Sequence, residues 1–503
     1  MNRRSFLRRS ALAAAAGLAL PYRPLHAGLF RPVSRVRRDL DVVTGDGRTV
    51  TLANNVVAEF AQALRGRVLL RGEDGYDDAR RILNPSFDKY PALIAQVTGA
   101  ADVATAVDFA RDNGGLLLAV KCGGHSASGQ SSCDGGMMID LSPFRGVRVD
   151  PFARTARVTG GTLLGALDHE AMAHGLVTTM GTVSHTGVGG LVTGGGFGRL
   201  GRRFGLSVDN LLSVDVVGAD GRLRHATEDE NADLFWGVRG GGGNFGVVTS
   251  FEFRLHSMQR EVVFGDILFP LARARDVLGL YGEYGPGAPD QLALGAVVVQ
   301  PAGGAPGLAG FNLCWSGDPN SLERVIAPIR ALGTPIADTL ASMDYVAVQR
   351  SGDISDPRAV GQYIKSGFIP NLPAGLVSAI ADRFEGDPRR DTILAFQQGG
   401  GAIARVAPGA TAFAQRDAMA NLLCFVNWPN GEDPADHVAW IREFWIGLEP
   451  FTHGFYVNDL DADMTAATIR ENYRQNHERL VAVKNEYDPR NLFRLNANVQ
   501  PTV

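Results

Sequence analysis

The segment Lys-Cys-Gly-Gly-His-Ser-Ala-Ser-Gly at 121–129 combines residue types that suit an anion-binding loop. Gly123 and Gly124 leave their backbone N–H groups uncovered and allow a ligand to approach closely, and such a nest of amides suits a pyrophosphate. We expect His125 at the apex of this loop. Taken alone, so short a segment is also consistent with a glycine-rich turn that carries a solvated histidine, and the rest of the chain favours the first interpretation.

A second glycine-rich block covers residues 181–210. Gly196, Gly198 and Gly201 satisfy G-x-G-x-x-G, which binds a nicotinamide dinucleotide when it follows a strand. The residues upstream are themselves glycine-rich and do not form such a strand, so we reject that site. A second phosphate-type loop that faces the first is the better interpretation, because two such loops would hold a diphosphate between them.

Two other groups of residues give weaker indications of a functional or covalent site. His169 and His174 resemble a zinc motif, but they are five residues apart and lie about 140° apart around a helix, so we predict no metal site. Cys122 and Cys133 are the obvious local disulfide pair in an exported protein, and buried free thiols are an equal alternative.

The elements around the first loop read as strand, helix and strand. Residues 91–97 and 115–120 have strand character, and the apolar spacing between them predicts a helix over 102–113. This order brings the glycine loop to the carboxyl end of a strand, where ligands bind in α/β sheets. After residue 253, strands at 292–299, 310–315 and 422–428 with helices at 321–332 and 434–448 predict a large antiparallel sheet backed by helices.

The first residues are interpreted as a targeting segment. Arg3 and Arg4 precede an apolar run at 11–20 that Pro21 interrupts, and this run is shorter than the ~20 residues that span a bilayer. Residues 1–27 resemble a twin-arginine export signal, so we expect a periplasmic or secreted protein with no stable membrane insertion after processing. Removal of this segment takes away five arginines and no acid from a chain of net charge −4, which argues against a nucleic-acid partner.

Four blocks in the same order resemble the berberine-bridge-enzyme-like FAD-linked oxidases of the vanillyl-alcohol-oxidase, or PCMH, type. The blocks are Gly-Gly-His-Ser at 123–126, Thr-Gly-Val-Gly-Gly with Gly-Gly-Gly-Phe-Gly within 186–198, Asp-Leu-Phe-Trp with Arg-Gly-Gly-Gly-Gly-Asn-Phe-Gly within 233–246, and Tyr-Asp-Pro-Arg-Asn-Leu-Phe at 487–493. The resemblance implies an α+β fold with a two-subdomain FAD-binding domain at 28–258, a substrate domain with the antiparallel sheet at 259–455, and a C-terminal segment at 456–503 that returns to the FAD domain.

The resemblance also implies the cofactor and its contacts. His125 matches the histidine that bonds covalently to the FAD 8α-methyl, and Val183 stands where many members have a second linking cysteine, so we expect a single attachment. Thr186 matches a residue that gates oxygen. The predicted cofactor-binding residues are His125, Gly123, Gly124, Ser126, Gly129, Gly181, Thr182, Thr186, Gly187, Gly190, Gly195, Gly196, Val247, Val248, Asn491, Asn496 and Asn498.

The predicted reaction is hydride transfer from a sugar, alcohol or natural-product C–H to FAD, with dioxygen or another redox acceptor reoxidising the flavin. Tyr456 is the predicted base, with a core tyrosine as the alternative. The strand at 422–426 is apolar where relatives often carry a polar catalytic side chain, so Gln397 or Gln398 becomes the candidate for substrate hydrogen bonds. The alternative functions are a flavin-dependent hydroxy-acid dehydrogenase and a flavin-binding protein without turnover.

Overall fold

The computed structural model describes residues 38–353, 360–461 and 464–503, so the predicted export signal at 1–27 lies outside the described residues. The elements of the first part of the chain are β1 (Leu40–Val43), β2 (Thr49–Leu52), α1 (Asn54–Ala63), β3 (Arg67–Leu70), α2 (Tyr76–Arg80), β4 (Leu93–Gln96), α3 (Ala100–Asp112), β5 (Leu118–Lys121), β6 (Met137–Asp140), β7 (Val147–Asp150), β8 (Thr155–Thr159), α4 (Leu164–Met172), β9 (Leu176–Val177), α5 (Val188–Thr193), α6 (Gly201–Phe204), β10 (Leu211–Val217), β11 (Leu223–Ala226), α7 (Ala232–Val238), β12 (Val247–Arg254) and β13 (His256–Ser257).

The glycine loop at 122–129 leaves the carboxyl end of β5 in a four-stranded sheet of order β3-β4-β6-β5. Strands β4 and β5 both run parallel to β6, and α3 connects them, so the predicted strand–helix–strand order is confirmed. The Asp102 carboxylate in the first turn of α3 accepts hydrogen bonds from the Arg65, Gly66 and Thr98 N–H groups, which fixes the start of the helix. A second, antiparallel sheet has the order β11-β10-β12-β8-β7.

The remaining elements are β14 (Glu261–Pro270), α8 (Ala274–Tyr284), β15 (Leu292–Gln300), β16 (Leu308–Trp315), α9 (Leu322–Val325), α10 (Ala327–Arg330), β17 (Ala337–Asp338), β18 (Ala341–Asp344), α11 (Tyr345–Arg350), β19 (Val360–Ile369), α12 (Ala374–Arg383), β20 (Asp391–Gln398), α13 (Ala402–Arg405), β21 (Ala420–Pro429), α14 (Ala435–Ile446), α15 (Ala466–Tyr473) and α16 (His477–Tyr487). The predicted single helix over 321–332 is wrong: it is divided into α9 and α10. Pro328 lies in the first turn of α10, where its missing N–H costs least, and it cannot continue the preceding helix.

The predicted antiparallel sheet backed by helices is confirmed. It has eight strands in the order β17-β14-β16-β15-β20-β21-β19, with β18 also paired to β14. The side chains of one face, among them Leu294, Leu394 and Leu422, form a buried core with α8, α12 and α14. The opposite face carries a cross-strand pair of amide residues, Gln397 on β20 opposite Asn421 on β21.

Candidate functional site

A cavity of about 250 Å³ lies between the two glycine-rich loops. Its wall is built from separate parts of the chain: residues 122–131, 186–193, 242–248, 457–460 and 493–497 each contribute lining side chains or backbone. No helix of the described residues is both long and apolar enough to cross a bilayer. Likewise, the described ranges contain no group of three or more acidic, histidine or cysteine side chains arranged to hold a metal ion.

The two loops approach each other at a pair of glycines. A Cβ on Gly123 would lie 2.3 Å from the Gly187 nitrogen, and one on Gly187 would lie 2.4 Å from both the Gly123 nitrogen and the Cys122 Sγ. Neither position has room for a side chain. Gly124 has a φ of +72°, which also favours glycine. The prediction that the second loop faces the first is therefore confirmed.

His125 is held by two neighbours at the cavity wall. Its Nε2 lies 2.6 Å from Nδ1 of His185, and its Nδ1 lies 3.3 Å from the Thr186 hydroxyl. Burial, with a smaller contribution from His185, lowers the pKa of His125 to about 4. The imidazole is therefore neutral at pH 7 and can act as a nucleophile.

Ten of the predicted cofactor-binding residues line the cavity: Gly123, Gly124, His125, Ser126, Thr186, Gly187, Gly190, Val247, Val248 and Asn496. The other seven lie outside its lining: Gly129, Gly181, Thr182, Gly195, Gly196, Asn491 and Asn498. Some of these support the loops instead. Gly129, at a φ of +72°, turns against the ring of Phe87, and the Gly181 carbonyl accepts a hydrogen bond from Gln349.

The cavity lining fits the FAD that the sequence resemblance implies. Ser131 Oγ and Asn496 Oδ1 are buried at this wall and have no hydrogen-bond partner within the described residues. Buried polar atoms are rarely left without a partner. Hydroxyl and amide groups of a dinucleotide would satisfy them, and the uncovered backbone of the two loops suits its diphosphate.

All four cysteines are described, and all are free thiols. Cys122 Sγ contacts the Thr162 carbonyl at 3.6 Å, and Cys133 Sγ contacts the Met137 carbonyl at 3.5 Å. Of the two alternatives for Cys122 and Cys133, the structure therefore shows free thiols rather than a disulfide. Burial raises the pKa of Cys122 to about 11, so this thiol stays protonated at neutral pH.

The hydroxyl oxygen of Tyr456 accepts three hydrogen bonds. The donors are Gly196 N at 2.9 Å, Phe197 N at 3.2 Å and Asn458 Nδ2 at 2.7 Å. The side chain is buried, and burial holds the pKa of Tyr456 well above its ordinary value. These contacts fix the Gly196 loop, and the role of Tyr456 as a base stays a prediction.

Gln398 has both ends of its amide bonded to the backbone. Its Nε2 donates to the Gly285 carbonyl and its Oε1 accepts from Leu294 N, each at 2.8 Å. It lines a separate cavity of about 120 Å³, together with Gln397 and Arg199, and not the larger one. The role of Gln398 in substrate binding therefore stays a prediction for this smaller cavity.

A polar network that the sequence did not predict lies next to the cavity between the glycine loops. Asn421 Nδ2 donates to Gln397 Oε1 and to Asp459 Oδ2, both at 2.9 Å. Asp459 lies between Asn458 and Leu460, which line the cavity. The signal in the sequence is Asn421 itself, a polar residue directly before the apolar stretch 422–426 in which relatives often carry a catalytic side chain.

Comparison with known proteins covers most of the chain. A family profile described as an FAD binding domain matches residues 91–227, and one described as berberine and berberine like matches residues 455–500. An FAD-linked oxidoreductase of Dictyostelium discoideum is 30% identical over 454 residues, which are 89% of this chain and 98% of the relative.

Two oxidases extend this similarity. The (R)-6-hydroxynicotine oxidase of Paenarthrobacter nicotinovorans is 31% identical over 465 residues, which are 87% of this chain and 97% of the relative. The structure of a xylooligosaccharide oxidase from Myceliophthora thermophila matches with a TM-score of 0.79 at 28% identity, covering 89% of this chain and 100% of that chain. Both similarities include the two glycine loops and the sheet domain within their span.

Proposed function

The chain belongs to the berberine-bridge-enzyme-like family of FAD-linked oxidases, and we propose that it oxidises a C–OH group of a sugar, an oligosaccharide or a secondary alcohol on a natural product. The chain binds FAD and is an FAD-dependent oxidase. Oligosaccharide oxidases among its relatives support sugars as the first substrate class to test. We further propose dioxygen as the final acceptor, with Thr186 at the cavity wall as the residue that controls its access.

The position of His125 carries the proposed mode of FAD attachment. It stands at the cavity wall on the first glycine loop, with a neutral imidazole. We propose a covalent bond between this ring and the FAD. Val183 provides no thiol, and the Cys122 thiol is protonated and donates a hydrogen bond to the Thr162 carbonyl. We therefore propose a single covalent attachment.

The protein's own residues then divide the remaining tasks. When bound, FAD supplies the acceptor for the hydride that leaves the substrate carbon. The backbone of Gly123, Gly124 and Gly187 would hold the diphosphate, and the buried oxygens of Ser131 and Asn496 would bind polar groups of the cofactor. Val457 and Leu460 add apolar groups to the cavity lining.

The attachment is tested with His125→Ala. Wild-type protein should keep its flavin through acid precipitation and give in-gel fluorescence, whereas His125→Ala should release all of it. His174→Ala is the matched control, because His174 is an exposed histidine on the loop after α4, outside the cavity lining, and should behave as wild type. Free release of flavin from the wild type would refute the covalent bond, and a second flavin-bearing peptide would refute single attachment.

The substrate class is tested by anaerobic flavin reduction. The panel consists of mono- and oligosaccharides, secondary alcohols, hydroxylated N-heterocycles and 2-hydroxy acids, and reduction is followed by the loss of flavin absorbance. We expect the fastest reduction with a sugar, followed by formation of peroxide when air is admitted. Reduction by hydroxy acids alone, without peroxide in air, would instead support the dehydrogenase.

A further inference from the structure

The carboxyl group of Asp459 lies between the cavity and the large antiparallel sheet. Asp459 ends a short 3₁₀ turn, Val457–Asp459, and its backbone N–H donates to the Tyr456 carbonyl at 2.8 Å. The residues on both sides of it, Asn458 and Leu460, line the cavity. Asp459 as a whole residue is neither fully buried nor exposed, and its neighbours on both sides open onto the cavity.

One oxygen of this carboxyl group is fixed and the other is open. Oδ2 accepts a hydrogen bond from Asn421 Nδ2 at 2.9 Å. For Oδ1, the described part of the chain provides no hydrogen-bond partner. Asp459 also forms no ion pair with any described residue. An oriented carboxylate with a free oxygen has the geometry of a proton acceptor.

The orientation is set by a buried amide. Asn421 has no exposed surface, and its Nδ2 uses its two hydrogens for Asp459 and for Gln397 Oε1. Gln397 and Asn421 are opposite each other in the pairing of β20 with β21. Asn421, which is held in place by the sheet, therefore orients the Asp459 carboxyl group and is a positioning residue.

The environment of Asp459 brings the pKa of its carboxyl group close to neutrality. Burial raises the pKa of Asp459 to about 7, and the hydrogen bond from Asn421 opposes this only in part. The titratable groups near it are the Tyr456 phenol on its own segment and, two residues further along, Asp461, which is paired at 2.8 Å with Lys365 of β19. From β20 and β21 it faces the neutral amides of Gln397 and Asn421.

We propose that Asp459 is the base that takes the hydroxyl proton of the substrate, an inference that rests on the proposed function. The substrate C–H bond breaks and its hydrogen leaves with both electrons to the flavin, while the O–H bond breaks and its proton passes to Asp459. A C=O bond forms, the substrate loses two electrons, and the flavin gains them. The base is therefore Asp459 rather than Tyr456, whose oxygen already accepts three hydrogen bonds.

The test compares Asp459→Asn with Tyr456→Phe in anaerobic flavin reduction by the best substrate of the panel. Asn keeps the shape of the side chain and an oxygen for Asn421 but cannot take the proton, so reduction should slow by about 10²–10⁴-fold with flavin content unchanged. Wild-type reduction should rise with pH through about 7, because the carboxyl group must be ionised, and the variant should lose this rise. Tyr456→Phe should keep it.

Asp168→Asn is the matched control. Asp168 is also buried with its pKa raised to about 7, but it lies on α4, hydrogen-bonded to Gln349, and its chain neighbours, unlike those of Asp459, do not line the cavity, so its variant should keep the wild-type profile. A second readout needs no turnover. Infrared difference spectra between low and high pH should show protonated carboxyl bands of both groups in wild type, of which Asp459→Asn should lose one and Asp168→Asn the other.

A third variant tests the proposal in case Asp459→Asn does not fold. Asn421→Ala keeps the carboxyl group but removes the bond that lowers its pKa, so the midpoint of the rate profile should move to higher pH. A large loss in Tyr456→Phe with Asp459→Asn within a few-fold of wild type would overturn the proposal, and so would an unchanged midpoint in Asn421→Ala. No flavin reduction of wild type by any member of the panel would instead overturn the proposed function.

Discussion

Lys484 and Asp488 form an ion pair in which neither side chain has exposed surface. The Lys484 ammonium donates to Asp488 at 2.6 Å, to the Asn244 carbonyl at 2.8 Å and to the Phe493 carbonyl at 3.0 Å. Asp488 also accepts hydrogen bonds from the N–H groups of Leu492 and Phe493. The pair therefore ties the C-terminal segment to the cavity, because Phe493 lines its wall.

Removal of one partner should be costly. Asp488→Ala leaves a buried ammonium without its counter-charge, and we expect a loss of about 3–5 kcal/mol in the free energy of unfolding. Asp233→Ala is the control, because it breaks an exposed pair with Arg479 that should contribute less than about 1 kcal/mol. Urea unfolding of the three proteins measures both changes, and equal losses in the two variants would contradict the assignment.

Residue types predicted the glycine loop that carries His125 but not the position of Asp459. His125 and the glycines beside it were found because few residue types suit an uncovered anion-binding loop. Asp459 was not found, because a single acidic residue in a polar stretch is typical of an exposed surface. Its carboxyl group is oriented by Asn421, which the fold brings to it from β21. The three donors to the Tyr456 hydroxyl likewise come partly from residues 196 and 197, far away in the sequence.

At the scale of elements, the two glycine loops form a single contact that excludes side chains. Gly187→Ala would place a Cβ against the Gly123 nitrogen and Cys122 Sγ, both at 2.4 Å. We expect the loops to separate, with a loss of about 1–3 kcal/mol in stability, as in other overpacked sites, and a lower flavin-to-protein ratio. Thermal unfolding and the flavin absorbance of purified protein measure the two effects.

Gly279→Ala provides the comparison for this variant. Gly279 lies within α8, and a Cβ there would have no atom within 4 Å. Because alanine favours a helix over glycine by about 0.5–1 kcal/mol, this variant should be at least as stable as wild type with full flavin content. Equal flavin loss in both variants would show that the contact between the loops is not what holds the cofactor site.

Periodicity predicted which segments are strands but not which strands are neighbours. The strands at 292–299, 310–315 and 422–428 correspond to β15, β16 and β21, within a few residues at each end. Their order in the sheet differs from their order in the sequence, because β15 and not β16 is the neighbour of β20, which pairs with β21. Alternation of apolar and polar residues shows that a strand has a buried face. This alternation carries no information on which strand pairs with it.

At the scale of the whole molecule, distant segments are joined by buried polar contacts. Arg416, which is 1% exposed, binds the Asp209 carboxylate with two hydrogen bonds of 2.7 and 2.8 Å. Asn84 Nδ2 donates to the Gln362 carbonyl, across 278 residues of sequence. The described residues accordingly form one compact unit. A cofactor site assembled from five separate parts of such a unit requires the chain to fold before the site exists.

This requirement is consistent with the proposed export of a folded protein. The twin-arginine route carries folded proteins, and the first residues resemble its signal, with Arg3 and Arg4 before a short apolar run. We propose that the flavin is acquired before export.

Conservative changes in the signal provide the test of this proposal. Arg3→Lys with Arg4→Lys keeps the positive charge but removes the arginine pair, so the protein should stay in the cytoplasm with its flavin bound. Arg8→Lys with Arg9→Lys alters a neighbouring pair in the same segment and should leave export unchanged. Export of the wild type should also persist when the Sec route is blocked. Periplasmic flavin fluorescence and immunoblots of the separated fractions measure both, and undiminished export of the first variant would contradict the twin-arginine assignment.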